Sequence, residues 1–136
     1  MKLIGFENLI YFKPKSLILS CKYYIISLVG DKMNLEIDMI QNLVKNDLIK
    51  WSGHVLKRML QRQITTDDII NCILSGEIIE NYPNDYPFPS CLIFGYTINN
   101  KILHVVVGNN NKVLYIITAY YPDNIKFYDD LKTRRN

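Results

Sequence analysis

The sequence predicts an α+β fold in which helices come first and an antiparallel sheet of about four strands follows them. Two observations predict this class. Apolar residues recur at helical spacing from Asn34 to Ser75, and after Gly76 the apolar period becomes two. Turn-forming prolines and asparagines then separate the apolar runs, as is typical between antiparallel strands. The 136 residues are enough for one domain with a substantial core.

Three helices are predicted in the first part of this domain. The first covers residues 34–46, where apolar side chains repeat every three or four positions. Ser52 is placed to cap the second helix. The run Thr65-Thr66-Asp67-Asp68 combines an N-cap with acids in the first turn, and so begins a third helix over residues 67–75. Gly76 follows as a natural helix stop.

The strands are predicted from alternating or continuous apolar runs between turn signals. The proline-rich segment PNDYPFP cannot join a strand ladder and is predicted to be a loop. Asn99-Asn100 is predicted to be a two-residue hairpin turn. The segment 125–131 fits a short helix or an edge strand. The strands are expected at 77–82, 91–98, 103–107 and 113–121, the last being long, apolar and therefore central.

The first 32 residues differ from the rest in charge and pattern. They hold five lysines against two acids, whereas the remaining residues have as many acidic as basic side chains. Global charge therefore gives no support for nucleic-acid binding by the domain. Either residues 1–32 are an extra element, or Met33 is the true start and the preceding segment is a gene-annotation artefact. We expect a single α+β domain over residues 33–136.

Neither a membrane segment nor a cofactor site is predicted. The apolar stretch 16–30 is interrupted by Lys22 and is short for a bilayer span, and no signal-peptide cleavage site follows it. Cys21, Cys72 and Cys91 have no metal-ligand spacing, and their odd number favours reduced thiols in a cytoplasmic protein. Cys72 and Cys91 lie in apolar patterns and are expected to fill the core.

The most informative stretch is SGHVLKRMLQR, residues 52–62. His54, Arg58 and Arg62 are four residues apart, so their side chains lie along one face of the predicted helix. A histidine that titrates near neutral pH, beside two permanent cations, suits a phosphate-bearing substrate. The alternative is a surface helix with three solvated polar side chains.

Several longer motifs give the chain a resemblance to a known family. It resembles, over about 100 residues, the small bacterial and archaeal proteins of the domain of unknown function 4258 family. It departs from that family's usual pattern at Phe127, where a tryptophan is common. The matching motifs are W-x-x-H-V-x-x-R-x-x-x-R from Trp51, I-T-x-D-D-I at 64–69, G-E-I-I-E-x-Y-P at 76–83, D-Y-P-x-P-S-C-L at 85–92, L-H-V-V-V-G at 103–108 and I-I-T-A-Y-Y-P-D at 116–123.

The resemblance implies a function by analogy. Such proteins are similar to RelE-type and MqsR-type toxins, so it implies a RelE-like fold and a toxin-like, metal-independent endoribonuclease that cleaves mRNA. The implied partners are an RNA substrate and a zinc-finger-type antitoxin. A non-catalytic protein- or RNA-binding module is the alternative function. A structural relative without any retained activity is a third.

RNA cleavage of this kind requires a general base, a general acid and cations around the phosphate. His54 is the first candidate for proton transfer, with Arg58 and Arg62 as phosphate ligands. His104 could form an acid–base pair with His54 if its strand faced that helix, and otherwise it is a buried structural histidine. Tyr120 could donate a proton or stack on a base, or it could be an ordinary aromatic residue of the sheet.

Two further segments carry candidate substrate-binding residues. Tyr86, with Tyr82 and Phe88, lies in or beside the proline-rich loop, where aromatic rings could stack on bases or could pack the loop onto the sheet. Lys132 and Arg134 belong to a basic C-terminal run that could steer RNA or could be solvated.

Overall fold

The computed structural model describes residues 34–136, so the predictions for residues 1–32 and for Cys21 lie outside the described residues. The domain is α+β, as predicted. None of its helices within residues 34–136 is long and apolar enough to cross a bilayer. Along the chain the elements are α1 (Ile37–Lys45), β1 (Ile49–Trp51), α2 (Gly53–Arg62), α3 (Thr66–Ser75), β2 (Glu77–Tyr82), β3 (Ser90–Tyr96), β4 (Ile102–Asn109) and β5 (Leu114–Tyr120).

The sheet has five strands in the order β1-β5-β4-β3-β2, so the prediction of an antiparallel sheet of about four strands was wrong in two respects. Strands β2 to β5 form an antiparallel meander, but β1 pairs with β5 in parallel. β1 was not predicted, because its three residues are too few to show the alternation of apolar and polar residues that identifies a strand. The strand expected to be central, β5, is second from the edge, and β4 occupies the centre.

The helix ends follow the predicted signals. The Ser52 hydroxyl accepts a hydrogen bond from the Val55 backbone N–H, which caps α2. Thr65 and Asp68 form a reciprocal capping box at the start of α3. Gly76 ends α3 as predicted, but its backbone is extended rather than left-handed. Glycine is required there because an added Cβ would lie 2.4 Å from the Cys72 carbonyl oxygen.

The hydrophobic core lies between the helices and one face of the sheet. Strand alternation places Ile93, Leu103 and Val105 on this face, all fully buried. Ile116 and Ala119 both point into it although they are three residues apart, because Ile117 is an unpaired bulge residue. Cys72 and Cys91 are buried in the core as predicted, and burial raises the pKa of each thiol to about 12.

The part of the second sheet face around His104 and Phe94 is covered by residues 121–136, which we call the C-terminal segment. The expected short helix or edge strand over 125–131 is absent there. The segment instead folds back on itself through a bridge between Phe127 and Arg134 and a hydrogen bond from the Tyr128 N–H to the Thr133 carbonyl. Phe127 is buried against the sheet, so this segment makes a second, smaller hydrophobic layer.

The close approach of α3 to β3 generates a stability prediction. A Cβ at Gly95 would lie 2.1 Å from the Cys72 carbonyl oxygen. This oxygen belongs to the backbone of α3 and cannot move aside as a flexible side chain could. We expect Gly95→Ala to lower the free energy of unfolding by about 3 kcal/mol or more, measured by urea denaturation of the full chain. Gly53→Ala is the matched control, because an added Cβ there meets nothing within 4 Å. Equal stability of the two variants would contradict the packing described.

Candidate functional site

Four of the eight predicted site residues, His104, Tyr120, Lys132 and Arg134, lie on or against the sheet face that points away from the helices. His104 is at its centre, in the middle strand, and is fully buried. Three aromatic rings surround its imidazole edge-on: Phe127, Tyr120 and Phe94, with ring centroids 4.7, 5.4 and 5.9 Å away. The C-terminal segment supplies one of these rings, and the sheet supplies the other two.

The imidazole of His104 has a defined hydrogen-bonding role. Its Nε2 is 2.7 Å from the Leu131 carbonyl oxygen, which can only accept, so Nε2 carries the proton and donates. In the neutral ring Nδ1 then accepts, and the Tyr120 hydroxyl lies 3.4 Å away to donate to it. Burial lowers the pKa of His104 below its ordinary value of 6.5, against the opposing effects of the Leu131 bond and the Glu80 charge. His104 is therefore a neutral residue that fixes the C-terminal segment.

His54 and His104 do not form an acid–base pair. His54 is exposed on α2, which packs on the other face of the sheet, and among residues 34–136 no contact joins the two histidines. The sequence left the facing direction of His104 open, and the structure places it as the buried histidine. The reason is strand alternation: Leu103 and Val105 point into the core, so His104 between them points to the opposite face.

Beside His104, a carboxylate holds the end of the chain. Arg134 donates from Nε and Nη2 to the two oxygens of Glu80, each at 3.0 Å, and the Tyr82 hydroxyl donates to the same carboxylate. Burial alone would raise the pKa of Glu80, but the bonds from Arg134 and Tyr82 outweigh it and lower that pKa. Burial and the Glu80 charge raise the pKa of Tyr82 to about 12.

The basic C-terminal run is not a free arm, although the Lys132 and Arg134 side chains are 40% and 47% exposed. Lys132 donates to Glu77 at 2.8 Å and lies 4.7 Å from the ring centroid of Phe94. Arg134 binds Glu80 and stacks over Phe127 at 4.9 Å. An acid of strand β2 thus compensates each of these two cations, which the sequence run alone could not indicate.

A cavity of about 520 Å³, which we call the basic cavity, opens where α2, β5 and the C-terminal segment meet. It brings together three predicted site residues: Arg62, Tyr120 and Arg134. Lys126 and Asp123 also line it, and sequence reasoning missed both because they follow the last strand in a segment without periodicity. Three cations and one carboxylate therefore line the same cavity as Tyr120. The remaining lining residues are Tyr121, Pro122 and Phe127.

Arg62 reaches this cavity because β1 is short. β1 pairs only with residues 114–116 of β5, which leaves the rest of that edge without a neighbouring strand. Arg62 fills the space: its Nη1 donates to the Ala119 carbonyl at 2.7 Å and lies 3.4 Å from the Thr118 hydroxyl. The guanidinium is thus fixed at the rim of the basic cavity.

The rest of the predicted α2 face is exposed. Within residues 34–136, neither His54 nor Arg58 makes a hydrogen bond or an ion pair through its side chain. A rise of 1.5 Å per residue places His54 about 12 Å from Arg62 along the helix axis. The three residues therefore form a polar strip that ends at the basic cavity.

The other end of the strip meets a second cavity, of about 590 Å³, which we call the aromatic cavity. His54 and Tyr86, both predicted site residues, line it, and the ring of Tyr86 is 95% exposed. The sequence assigned no role here to Trp51 and Tyr115. The two residues lie on neighbouring strands only because β1 pairs with β5, and β1 was not predicted. Among residues 34–136 no group of three or more His, Cys, Asp or Glu side chains is placed to hold a metal ion.

The buried His104 should make stability depend on pH. Because its folded-state pKa is depressed, the unfolded chain binds a proton more readily, and stability is complete above pH 6.5 and falls as the pH drops through the folded-state pKa. We expect His104→Gln to remove this part of the pH dependence, measured by urea denaturation between pH 5 and about pH 8. His54→Gln, at an exposed site, should retain it, and an unchanged slope in His104→Gln would contradict the assignment.

The Glu80–Arg134 pair should also contribute to stability, and the pH dependence of this contribution is set by the Glu80 carboxylate. The Glu80 side chain is 20% exposed and that of Arg134 47%, so we expect Glu80→Gln to cost only about 1 kcal/mol at pH 7. Its folded-state pKa is lowered, so this contribution is present above pH 4.5 and is lost as the pH falls through the folded-state pKa. Glu77→Gln, in a more exposed pair, should have a smaller effect in the same denaturation experiment.

One family of known proteins matches this domain. The model of the family described as Domain of unknown function (DUF4258) matches residues 51–121, more than half of the chain. The match includes His54, Arg58, Arg62, His104 and Tyr120 and ends before most of the C-terminal segment. Neither the curated proteins nor the solved structures contain a match. The chain therefore belongs to the DUF4258 family.

Proposed function

We propose that the domain is a toxin-like, metal-independent endoribonuclease, an mRNA interferase, whose scissile phosphate binds in the basic cavity. The observation that carries the proposal is that Arg62, Lys126 and Arg134 line one cavity together with Tyr120. The RelE-like relationship and the zinc-finger-type antitoxin are the parts of the proposal that rest on family resemblance.

The cavity suits a phosphodiester because two of its cations are held in place. Arg62 is bound to the edge of β5 and Arg134 to Glu80, so neither side chain loses much freedom when an anion arrives. Guanidinium groups also present several N–H donors in a plane, which matches phosphate oxygens. Lys126 adds a point charge from the C-terminal segment.

The proposed reaction is attack of the ribose 2′-oxygen on the adjacent phosphorus, which releases the 5′-oxygen of the next nucleotide. Asp123 lines the cavity and is the base that takes the proton of the 2′-hydroxyl. Burial raises the pKa of Tyr120, so its hydroxyl keeps a proton at neutral pH and can give it to the leaving 5′-oxygen. The three cations stabilise the phosphorane charge.

His54 and Arg58 take a different part in this proposal from the one the sequence indicates. Neither lines the basic cavity, and along the helix axis His54 is about 12 Å and Arg58 about 6 Å from Arg62. They instead contact flanking nucleotides along the strip. In this scheme His54 contributes to RNA binding rather than to proton transfer.

A second candidate function is an RNA-binding module without cleavage. His104 favours it, because the histidine is buried, neutral and committed to Leu131, and the basic cavity contains no histidine. The same cations would then bind the RNA backbone without reaction.

The functions separate in a controlled expression experiment with the full chain. Wild type should arrest growth and produce new RNA 5′ ends that carry a hydroxyl. Tyr120→Phe removes only the oxygen, and we expect it to lower the cleavage rate at least about 100-fold. Tyr128→Phe, on the exposed surface outside the cavity, is the matched control.

Each outcome decides between the readings. RNA binding by wild type without cleavage would select the binding module. Full cleavage by Tyr120→Phe would remove Tyr120 as the acid. Loss of cleavage in His54→Ala with unchanged RNA affinity would return proton transfer to His54, whereas the proposal expects weaker RNA binding.

A further inference from the structure

The aromatic cavity has the form of a subsite for a flat ring. It lies where the proline-rich loop crosses the ends of β4 and β5, beside the start of α2. Phe88 from this loop stacks on Tyr115 of β5 with ring centroids 5.2 Å apart and planes inclined by 15°. Tyr86 and Trp51, which also packs against the hydrophobic core, line the same space, so aromatic residues of three different segments border it.

The loop that carries these rings is tied to the sheet. The Ser90 hydroxyl donates to Asp85, the Asp85 N–H donates to the Tyr82 carbonyl at 3.2 Å, and the Asn109 N–H donates to the Pro89 carbonyl at 3.1 Å. Both ends of the loop are thereby fixed to strands β2, β3 and β4, so the cavity wall exists before any ligand binds. A preformed wall reduces the ordering cost of binding.

Polar groups at the cavity margin complement an aromatic heterocycle. Lys50, Ser52, His54 and Asp85 all line it and offer both donors and acceptors. Such groups can meet the polar edge of a nucleobase while its faces stack on rings.

We propose that the aromatic cavity binds an unpaired nucleobase of the RNA whose backbone follows the α2 strip. The inference rests on the proposed function and deepens it, because it assigns a base-recognition subsite apart from the basic cavity. Continuity supports it: His54 lines the aromatic cavity, Arg62 lines the basic cavity, and Arg58 lies between them on the same helix face. One single strand can therefore place a phosphate at one end and a base at the other.

Trp51 provides a direct readout because it is the only tryptophan in the chain. We would titrate the full chain with a single-stranded RNA octamer and with an abasic octamer of the same sugar–phosphate backbone, following both total binding and Trp51 emission. The RNA octamer should bind and change the emission. The abasic octamer should bind more weakly and leave the emission unchanged.

Phe88→Ala tests the stacking wall, and Tyr128→Ala is the control for removal of an exposed aromatic ring elsewhere. We expect Phe88→Ala to weaken RNA binding about fivefold or more and to leave binding of the abasic octamer unchanged. Tyr128→Ala should leave both affinities unchanged. Tyr86 is 95% exposed, so Tyr86→Ala removes a second aromatic ring of the loop without disturbing the packed Phe88 ring and should weaken RNA binding in the same way.

The outcomes separate this subsite from the proposed function. Binding of both octamers without any change in Trp51 emission would overturn the base subsite and leave the phosphate site intact. No binding of either octamer would overturn both. A Trp51 response to N-acetylphenylalanine amide at lower concentrations than to adenosine would assign the cavity to a protein side chain and overturn the nucleobase proposal.

Discussion

The hydrogen bond from His104 to the Leu131 carbonyl holds the two layers of this domain together. It joins the central strand of the sheet to a C-terminal segment that has no helix or strand of its own. Around it, Phe127 is buried and Arg134 closes on Glu80, so a single neutral imidazole organises both apolar packing and charge pairing. The basic cavity is a product of this arrangement, because the same segment contributes Lys126 and Arg134 to its wall.

Irregularities in the strands place the functional groups. The bulge at Ile117 lets β5 keep both Ile116 and Ala119 in the core while Tyr120 remains beside His104 on the opposite face. Without the extra residue, strand alternation would put one of these side chains on the wrong side of the sheet. A second irregularity, between Ile78 and Glu80 in β2, similarly lets Ile78 pack on the core while Glu80 reaches Arg134.

Local signals in the sequence predicted much of this fold. Helical periodicity, the Ser52 cap and the N-cap cluster with first-turn acids at Thr65–Asp68 predicted the helices to within a few residues, because each signal depends on near neighbours. Strand β1 and the path of the C-terminal segment were missed, since both depend on partners far along the chain. The α2 face was identified from spacing, because that too is a local signal. The convergence of Arg62, Tyr120 and Arg134, and the presence of Trp51 and Tyr115 in one cavity, required the tertiary structure.

The position of Arg62 also bears on how the unpaired part of the β5 edge is covered. An open strand edge offers unpaired carbonyl and N–H groups on which a foreign strand can add, and this is a common route to aggregation. Here the Arg62 guanidinium donates a hydrogen bond to the Ala119 carbonyl oxygen in the unpaired part of β5. Displacing this charged group and burying it would cost free energy. A strand from another molecule would have to displace Arg62 before it could extend the sheet. One side chain therefore both lines the basic cavity and blocks strand addition at this edge.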